Sequence, residues 1–187
     1  MTLHTPVPAD VWCVRSSNLA SRAIRLGATL RYLIRGGNND GDLDNHVIIV
    51  THQTDGVWWG VAGRPGGVGY ECLTPYLDDP TTITNADQPK GDDQRAQVLA
   101  CVPQVLKAPY DWTAIMVAAA DDLHLPEWFQ KDWHGTGAPG HVICSALADW
   151  MYHHVGLPNP APDRFCQPSD WIQFDIDRQW TQPNTGR

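Results

Sequence analysis

Short apolar runs between turn residues predict most of the strands in this chain. Residues 9–15 (ADVWCVR) alternate and are rich in β-forming residues, which predicts a first strand. Three further runs, residues 46–51, 57–62 and 68–73, are apolar or alternating and are separated by turn residues. These three runs predict consecutive strands of an antiparallel meander.

Apolar residues at helical spacing predict the helices. Ser16, Ser17 and Asn18 offer N-caps for a first helix over residues 19–35. The remaining helical patterns cover residues 92–106, 113–123 and 142–157. Pro103 is expected to interrupt the first of these three, because proline lacks the backbone N–H that a helix interior uses.

Three segments rich in glycine, proline and polar residues predict loops, at residues 36–45, 74–91 and 126–140. No repeat or linker divides the 187 residues, a length typical of one domain. We therefore expect a single α+β domain over 1–187, in which an antiparallel meander packs against helices. Its core is predicted over about residues 9–174, followed by a tail over 175–187.

Charge and hydropathy narrow the classes of partner. The chain has 13 Lys and Arg against 21 Asp and Glu, a net charge of −8, which disfavours a nucleic-acid partner. The basic residues Arg22, Arg25, Arg31 and Arg35 are interpreted as a solvated helix face. No run approaches the roughly 20 apolar residues of a membrane span, and the N-terminus lacks a signal-peptide pattern. The cytoplasm of the producing cell is the default expectation, and association with a virion is the alternative.

The five cysteines are odd in number, scattered, and never spaced as CxxC. This distribution argues against a zinc ribbon, a redox pair and a disulfide framework, and it implies at least one free thiol. Cys13, Cys72 and Cys101 lie in apolar contexts and are predicted to be small buried hydrophobic residues.

Two groups of residues resemble metal ligands without completing a site. Asp40, Asp42 and Asp44 alternate, but the glycine and the distal glutamate of an EF-hand loop are missing. Several histidines lie near Cys144 but spread around the predicted helix, and no second pair completes a zinc site. They are His141, His153 and His154. We expect neither a metal nor another cofactor.

Cys144 differs from the other cysteines because it begins a predicted helix directly after a Gly-Pro loop. Free N–H groups and the partial positive charge of a helix N-terminus lower a thiol pKa and can hold an oxyanion. A thiolate nucleophile needs an imidazole nearby, and His46, at a junction of loop and strand, is the candidate base. The alternatives are a buried first-turn cysteine and a histidine that caps the Asp-rich loop.

The sequence resembles the circularly permuted papain-like superfamily, which contains the YiiX-like and lecithin:retinol acyltransferase-like proteins and is related to the NlpC/P60 peptidases. In that superfamily the histidine strand precedes the cysteine helix. The matching stretches are residues 9–25, 45–50 (NHVIIV), 109–115 (PYDWTAI), 142–158 (VICSALADWMYHHVGLP) and 166–174 (CQPSDWIQF). The resemblance implies a permuted papain-like fold with Cys144 as nucleophile and His46 as base.

One position departs from the family pattern. The polar residue that orients the imidazole lies on the strand after the histidine strand, and the matching place here is Val61 or Ala62. Neither side chain can form a hydrogen bond. Glu71 on the next strand is the favoured substitute, since a carboxylate best stabilises an imidazolium. The other possible substitutes are His52 and Gln53.

The resemblance implies a cysteine hydrolase whose substrate is an amide of a peptide or of peptidoglycan, or an acyl ester, and the acidic, anchor-free character of the chain favours the amides. Tyr110 is a candidate supporting hydroxyl. Other candidates to line the cleft are His134, His141, Trp58, Trp59, Trp128 and Trp133, although core packing is an alternative for each tryptophan. Two further interpretations stay open: a catalytically impaired papain-like binding module, and a phage-type structural or assembly protein.

Overall fold

A computed structural model describes residues 4–16, 46–110, 143–160, 166 and 168–180. The helices predicted over 19–35 and 113–123, and the loops predicted over 36–45 and 126–140, lie outside the described residues. So do the clusters Arg22, Arg25, Arg31 and Arg35 and Asp40, Asp42 and Asp44. Within the described residues, no helix is long and apolar enough to cross a membrane.

The fold is α+β, with a five-stranded antiparallel sheet. The strands are β1 (Val11–Val14), β2 (His46–Thr54), β3 (Val57–Arg64), β4 (Gly67–Cys72) and β5 (Ile83–Thr84). Their order in the sheet is β4-β3-β2-β1-β5, and each neighbouring pair is antiparallel. The antiparallel meander predicted over residues 46–51, 57–62 and 68–73 is confirmed, and its strands are β2, β3 and β4.

The sequence pattern missed β5, which lies inside the segment predicted as a polar loop over 74–91. Only two residues pair, Ile83 and Thr84, so the strand is too short to show alternation. Asn85 extends the pairing, because its side-chain oxygen accepts a hydrogen bond from the Val11 N–H at 2.7 Å. A short 3₁₀ helix, Thr74–Tyr76, occupies the start of the same segment.

The structure describes three α-helices: α1 (Asp92–Val105), α2 (Cys144–His154) and α3 (Pro168–Asp177). The predicted interruption at Pro103 is wrong, since α1 continues through it to Val105. Pro103 lies in the last turn, where its missing N–H removes only one bond of the helix. The Leu106 N–H still bonds the Val102 carbonyl at 3.0 Å.

Alternating strand residues divide the apolar core into two layers, one on each side of the sheet. The helix-facing layer packs strand residues against α1, α2 and α3. Its strand members are Val11, Cys13, Val47, Ile49, Val61 and Val68. The opposite layer consists of Trp12, Val14, Ile48, Val50, Ala62 and Leu73.

The cysteines are all free thiols. Cys13 and Cys101 are buried in the helix-facing layer, as predicted. The prediction for Cys72 is wrong, because this side chain is only partly buried. Cys72 ends the edge strand β4, and its thiol donates to the Thr74 hydroxyl at 3.2 Å.

A buried polar cluster joins the start of β1 to the helices. Lys90 Nζ lies 2.9 Å from Asp10 Oδ1, and Arg95 Nη1 lies 2.8 Å from the same oxygen. Asp175 of α3 is 1% exposed, and its Oδ1 has no hydrogen-bond partner in the described part of the chain. The Asp87 N–H donates to the Trp180 carbonyl at 3.2 Å, so the described residues beyond 174 contact the rest of the domain.

Asp175→Asn is expected to stabilise the protein above neutral pH by about 1–3 kcal/mol and to have little effect near about pH 4. Burial raises the pKa of Asp175 from 3.8 to about 7, although the charges of Lys90 and Arg178 oppose the rise. The unfolded chain therefore ionises first as pH increases, and stability is lost between the two pKa values. Urea unfolding at several pH values measures the difference.

Asp177→Asn, on the exposed side of the same helix, is the matched control for loss of one carboxylate. If Asp175→Asn raises the free energy of unfolding by the same amount at every pH, the cost of ionising Asp175 in the folded state is not the cause.

Candidate functional site

His46 and Cys144, the predicted pair, meet in the structure. His46 is the first residue of β2 and Cys144 is the first residue of α2. Both are buried, with 3% and 2% of their surface exposed. A hydrogen bond links the two side chains. Residues nearly 100 positions apart are thus joined where a strand and a helix begin.

The start of α2 leaves its backbone donors available around the sulfur. Its N-cap, Ile143, has extended backbone angles, and an isoleucine side chain cannot cap a helix. The N–H groups of Val47 and Ser145 form hydrogen bonds with the Cys144 sulfur. These donors, together with the partial positive charge of the helix end, favour a negatively charged sulfur.

The electrostatics of the pair favour its charged form. Burial alone would raise the pKa of Cys144, but the hydrogen bond and charge of His46 lower that pKa below its ordinary value. Burial alone would lower the pKa of His46, but Cys144 and Glu71 raise it to about 10. At neutral pH the arrangement therefore favours a thiolate facing an imidazolium.

Glu71 of β4 is the residue that the structure brings to His46. His46 Nε2 lies 2.9 Å from Glu71 Oε2, where the ring N–H donates to the carboxylate. The other ring nitrogen of His46, Nδ1, is then available for the hydrogen bond with Cys144. Burial disfavours the ionised carboxylate, but the hydrogen bond and charge of His46, aided by Tyr76 and Arg64, lower the pKa of Glu71.

Strand alternation explains how a residue of β4 can reach His46. Ala62 pairs with Gly69, and Glu71 lies two residues further along β4, on the same side of the sheet. His46 alternates with Ile48 and Val50, which share the apolar layer of Ala62. Where the sequence analysis expected a polar partner for His46 and found Ala62, the structure has a carboxylate from the next strand.

The other two substitutes proposed for the third position form different contacts. His52 Nδ1 lies 3.0 Å from the Thr51 hydroxyl, which itself donates to the Trp59 carbonyl. The His52 ring also packs edge to face with Tyr70. The Gln53 side chain donates to the Gly56 carbonyl at 3.2 Å.

Gly63 of β3 lies directly against the start of α2. A Cβ atom at this position would be 2.9 Å from the Cys144 nitrogen and 3.0 Å from the Ile143 carbonyl carbon. Both neighbours are backbone atoms, which cannot rotate away as a flexible side chain would. The absence of a side chain at Gly63 therefore allows the backbone of Cys144 to approach the sheet closely.

Ser145, next to Cys144, forms hydrogen bonds that connect α2 to neighbouring segments. Its hydroxyl is fully buried and donates to the Cys166 carbonyl at 2.7 Å. The Trp171 indole N–H donates to the Ser145 carbonyl at 3.2 Å. Together these bonds connect the first turn of α2 to α3 and to the segment before it.

Tyr110 is half-buried and lies within electrostatic range of Cys144. Burial and the charge of Cys144 raise the pKa of Tyr110, so its hydroxyl stays protonated and able to donate. Trp58 packs against the apolar layer opposite the helices. Four predicted cleft residues lie outside the described residues: Trp128, Trp133, His134 and His141.

Two positions at the site were missed by the sequence analysis. Tyr76, whose hydroxyl donates to Glu71 Oε1 at 2.9 Å, lies in the segment predicted as a surface loop. No pattern within that loop pointed to the site. Gly63 follows the strand predicted over residues 57–62 and was placed among turn residues, so its position inside β3 was not predicted either.

Comparisons with known proteins find similarity in fold. No family model matches the sequence, and no curated protein matches it. The crystal structure of YiiX from Escherichia coli O157:H7 is similar, with a TM-score of 0.52 and 12% identity, over 91% of this chain and 81% of that one. The described residues thus belong to a YiiX-like fold.

The YiiX structure is described as that of a metalloprotein. Within the described residues of this chain, no group of three or more His, Cys, Asp or Glu side chains is placed to hold a metal ion. His153 and His154 are exposed, and the His154 ring stacks on Trp150. The residues described here therefore do not fit a metal centre.

Proposed function

We propose that this protein is a cysteine hydrolase of the permuted papain-like type, with Cys144 as nucleophile and His46 as general base and acid. The observation that carries the proposal is the buried hydrogen-bonded pair of Cys144 and His46, with Glu71 bonded to the far nitrogen of the ring. Glu71 holds the ring in place and stabilises its positive charge, as the third member of such a triad does. The YiiX-like fold is compatible with this assignment.

In the acylation step, the Cys144 thiolate attacks the carbonyl carbon of an amide. A C–S bond forms and the carbonyl electron pair moves to oxygen. His46 then gives its proton to the leaving nitrogen as the C–N bond breaks, which releases an amine and leaves a thioester. Water attacks the thioester while His46 accepts its proton. Breakage of the C–S bond releases the acid and restores the charged pair.

The developing oxyanion needs donors near the sulfur. The uncapped start of α2 offers the Cys144 N–H, and Tyr110 offers a protonated hydroxyl nearby. We assign the Cys144 N–H to the oxyanion and Tyr110 to its support.

The proposed substrates are amides in peptides or peptidoglycan, and an acyl ester is the second choice. The alternative of a catalytically impaired binding module is supported if the apolar Ala62 leaves His46 without a polar residue to orient its imidazole. Because Glu71 bonds His46 from the next strand, the imidazole has a polar partner and that support is lost. The assembly-protein alternative stays a prediction.

Trapping of the acyl-enzyme tests the proposal. The protein is incubated separately with a synthetic peptide amide, with a peptidoglycan fragment and with a fatty-acyl ester, and adducts are detected by intact mass spectrometry. We expect an adduct on Cys144 with at least one of the three probes and none with Cys144→Ala. Equal turnover of a probe by the wild type and by Cys144→Ala would overturn the assignment of the nucleophile.

A further inference from the structure

Tyr76 extends the line of hydrogen bonds beyond the proposed triad. It lies in the 3₁₀ helix Thr74–Tyr76, which follows directly after β4. Its hydroxyl donates to Glu71 Oε1 at 2.9 Å, while His46 donates to Oε2 of the same carboxylate. Ser16, two residues after β1, forms a hydrogen bond with the Tyr76 hydroxyl. The ring of Tyr76 packs against the apolar layer opposite the helices.

Glu71 needs such a fixed donor because its position is otherwise weakly held. Its side chain is 20% exposed and belongs to an edge strand, with three rotatable bonds between backbone and carboxylate. Arg64, an exposed cation whose side chain lies over Gly69, also attracts this carboxylate. Without a donor on Oε1, the carboxylate can rotate toward Arg64 or toward solvent, away from His46.

We propose that Tyr76 is a positioning residue, which holds the Glu71 carboxylate against His46 and so compensates for the apolar Val61 and Ala62. The inference rests on the proposed function, because it concerns the same site. It predicts that the Tyr76 hydroxyl affects Cys144 only through Glu71 and His46. Burial and the charge of Glu71 raise the pKa of Tyr76, so the hydroxyl remains a donor throughout the working pH range.

The pH dependence of Cys144 alkylation by iodoacetamide tests this inference without any substrate. Tyr76→Phe keeps the packed ring and removes only the hydroxyl. We expect it to move the midpoint of the alkylation profile up by about 0.5–1 pH unit and to slow alkylation of Cys144 by about 3–10-fold at pH values below that midpoint. Tyr70→Phe, which removes an exposed hydroxyl from the same strand as Glu71, is the matched control and should leave the profile unchanged.

A double substitution separates positioning from a general effect on structure. In a Glu71→Gln background, Tyr76→Phe should cause no further shift, because the proposed route through the carboxylate is already lost. An additional shift of the same size in that background would contradict the route. If Tyr76→Phe does not fold by circular dichroism, Ser16→Ala replaces it, with a smaller upward shift expected. An unchanged profile for Ser16→Ala would in that case overturn the inference.

The outcomes distinguish this inference from the proposed function. A wild-type Cys144 that is alkylated rapidly at low pH, together with an unchanged Tyr76→Phe profile, overturns the role of Tyr76 and leaves the proposed function intact. A wild-type Cys144 that is alkylated only as an ordinary thiol contradicts the charged pair itself and therefore overturns both.

Discussion

Replacing His46 with alanine is expected to slow the alkylation of Cys144 near about pH 6 by about 100-fold. In the wild type, the hydrogen bond and charge of His46 lower the pKa of Cys144 and so favour the ionised sulfur. Without the imidazole, burial leaves the thiol pKa at or above its usual value of about 8.5, so at most about 0.3% of Cys144 is thiolate at about pH 6. The greater intrinsic nucleophilicity of a more basic thiolate recovers part of this loss. Peptide mass mapping measures the rate at Cys144 separately from that at Cys72.

His52→Ala is the matched control for this experiment. It removes an imidazole from the same strand, but His52 is exposed and contacts Thr51 and Tyr70. We expect the rate at Cys144 to stay within about twofold of the wild-type rate. An alkylation rate in His46→Ala that is also close to wild type would mean that the histidine does not activate the thiol.

Gly63→Ala is expected to lower the rate of Cys144 alkylation by at least about tenfold and the free energy of unfolding by about 1–3 kcal/mol. The new methyl group would lie 2.9 Å from the Cys144 nitrogen and 3.3 Å from its Cα. Either β3 or the start of α2 must move to relieve this overlap. Such movement lengthens the hydrogen bonds from His46 and from the backbone N–H groups that stabilise the thiolate. Alkylation kinetics at about pH 6 and urea unfolding measure the two effects.

Gly91→Ala is the matched control, because the nearest atom to a Cβ at Gly91 is 3.9 Å away and its φ is −71°. This substitution should leave the reactivity of Cys144 unchanged. If Gly63→Ala lowers stability while folded molecules react at the wild-type rate, the close approach supports only folding. If neither quantity changes, the start of α2 is not constrained by Gly63.

Predictions about the fold succeeded where a residue pattern reports directly on local structure. The alternating apolar runs identified β1 to β4, and the helical period over residues 142–157 identified α2, which ends at His154. They failed where only a few residues determine the outcome. β5 consists of two residues whose pairing depends on β1, and α1 tolerates Pro103 because the helix ends two residues later. Neither the pairing of β5 nor the continuation of α1 through Pro103 can be predicted from the residues of that segment alone.

Predictions about the site followed a similar division. The sequence singled out Cys144 because it lies at the start of a predicted helix after a Gly-Pro loop, and His46 because it stands at the start of an apolar strand. Glu71 required strand register as well, since only the pairing of β3 with β4 determines the side of the sheet on which it lies. Tyr76 reaches Glu71 through the geometry of a 3₁₀ turn, which the sequence of its loop did not indicate.

The ultraviolet absorbance of the Cys144 thiolate is the most direct test of the central claim that Cys144 and His46 form a charged pair at neutral pH. The wild type and Cys144→Ser are titrated side by side, and the difference spectrum counts ionised Cys144 alone. The charged pair predicts a full thiolate signal near about pH 7 that disappears only on acidification well below the ordinary thiol pKa of about 8.5. A signal that appears only as pH rises through about 8.5 or above would show a neutral thiol and contradict the account.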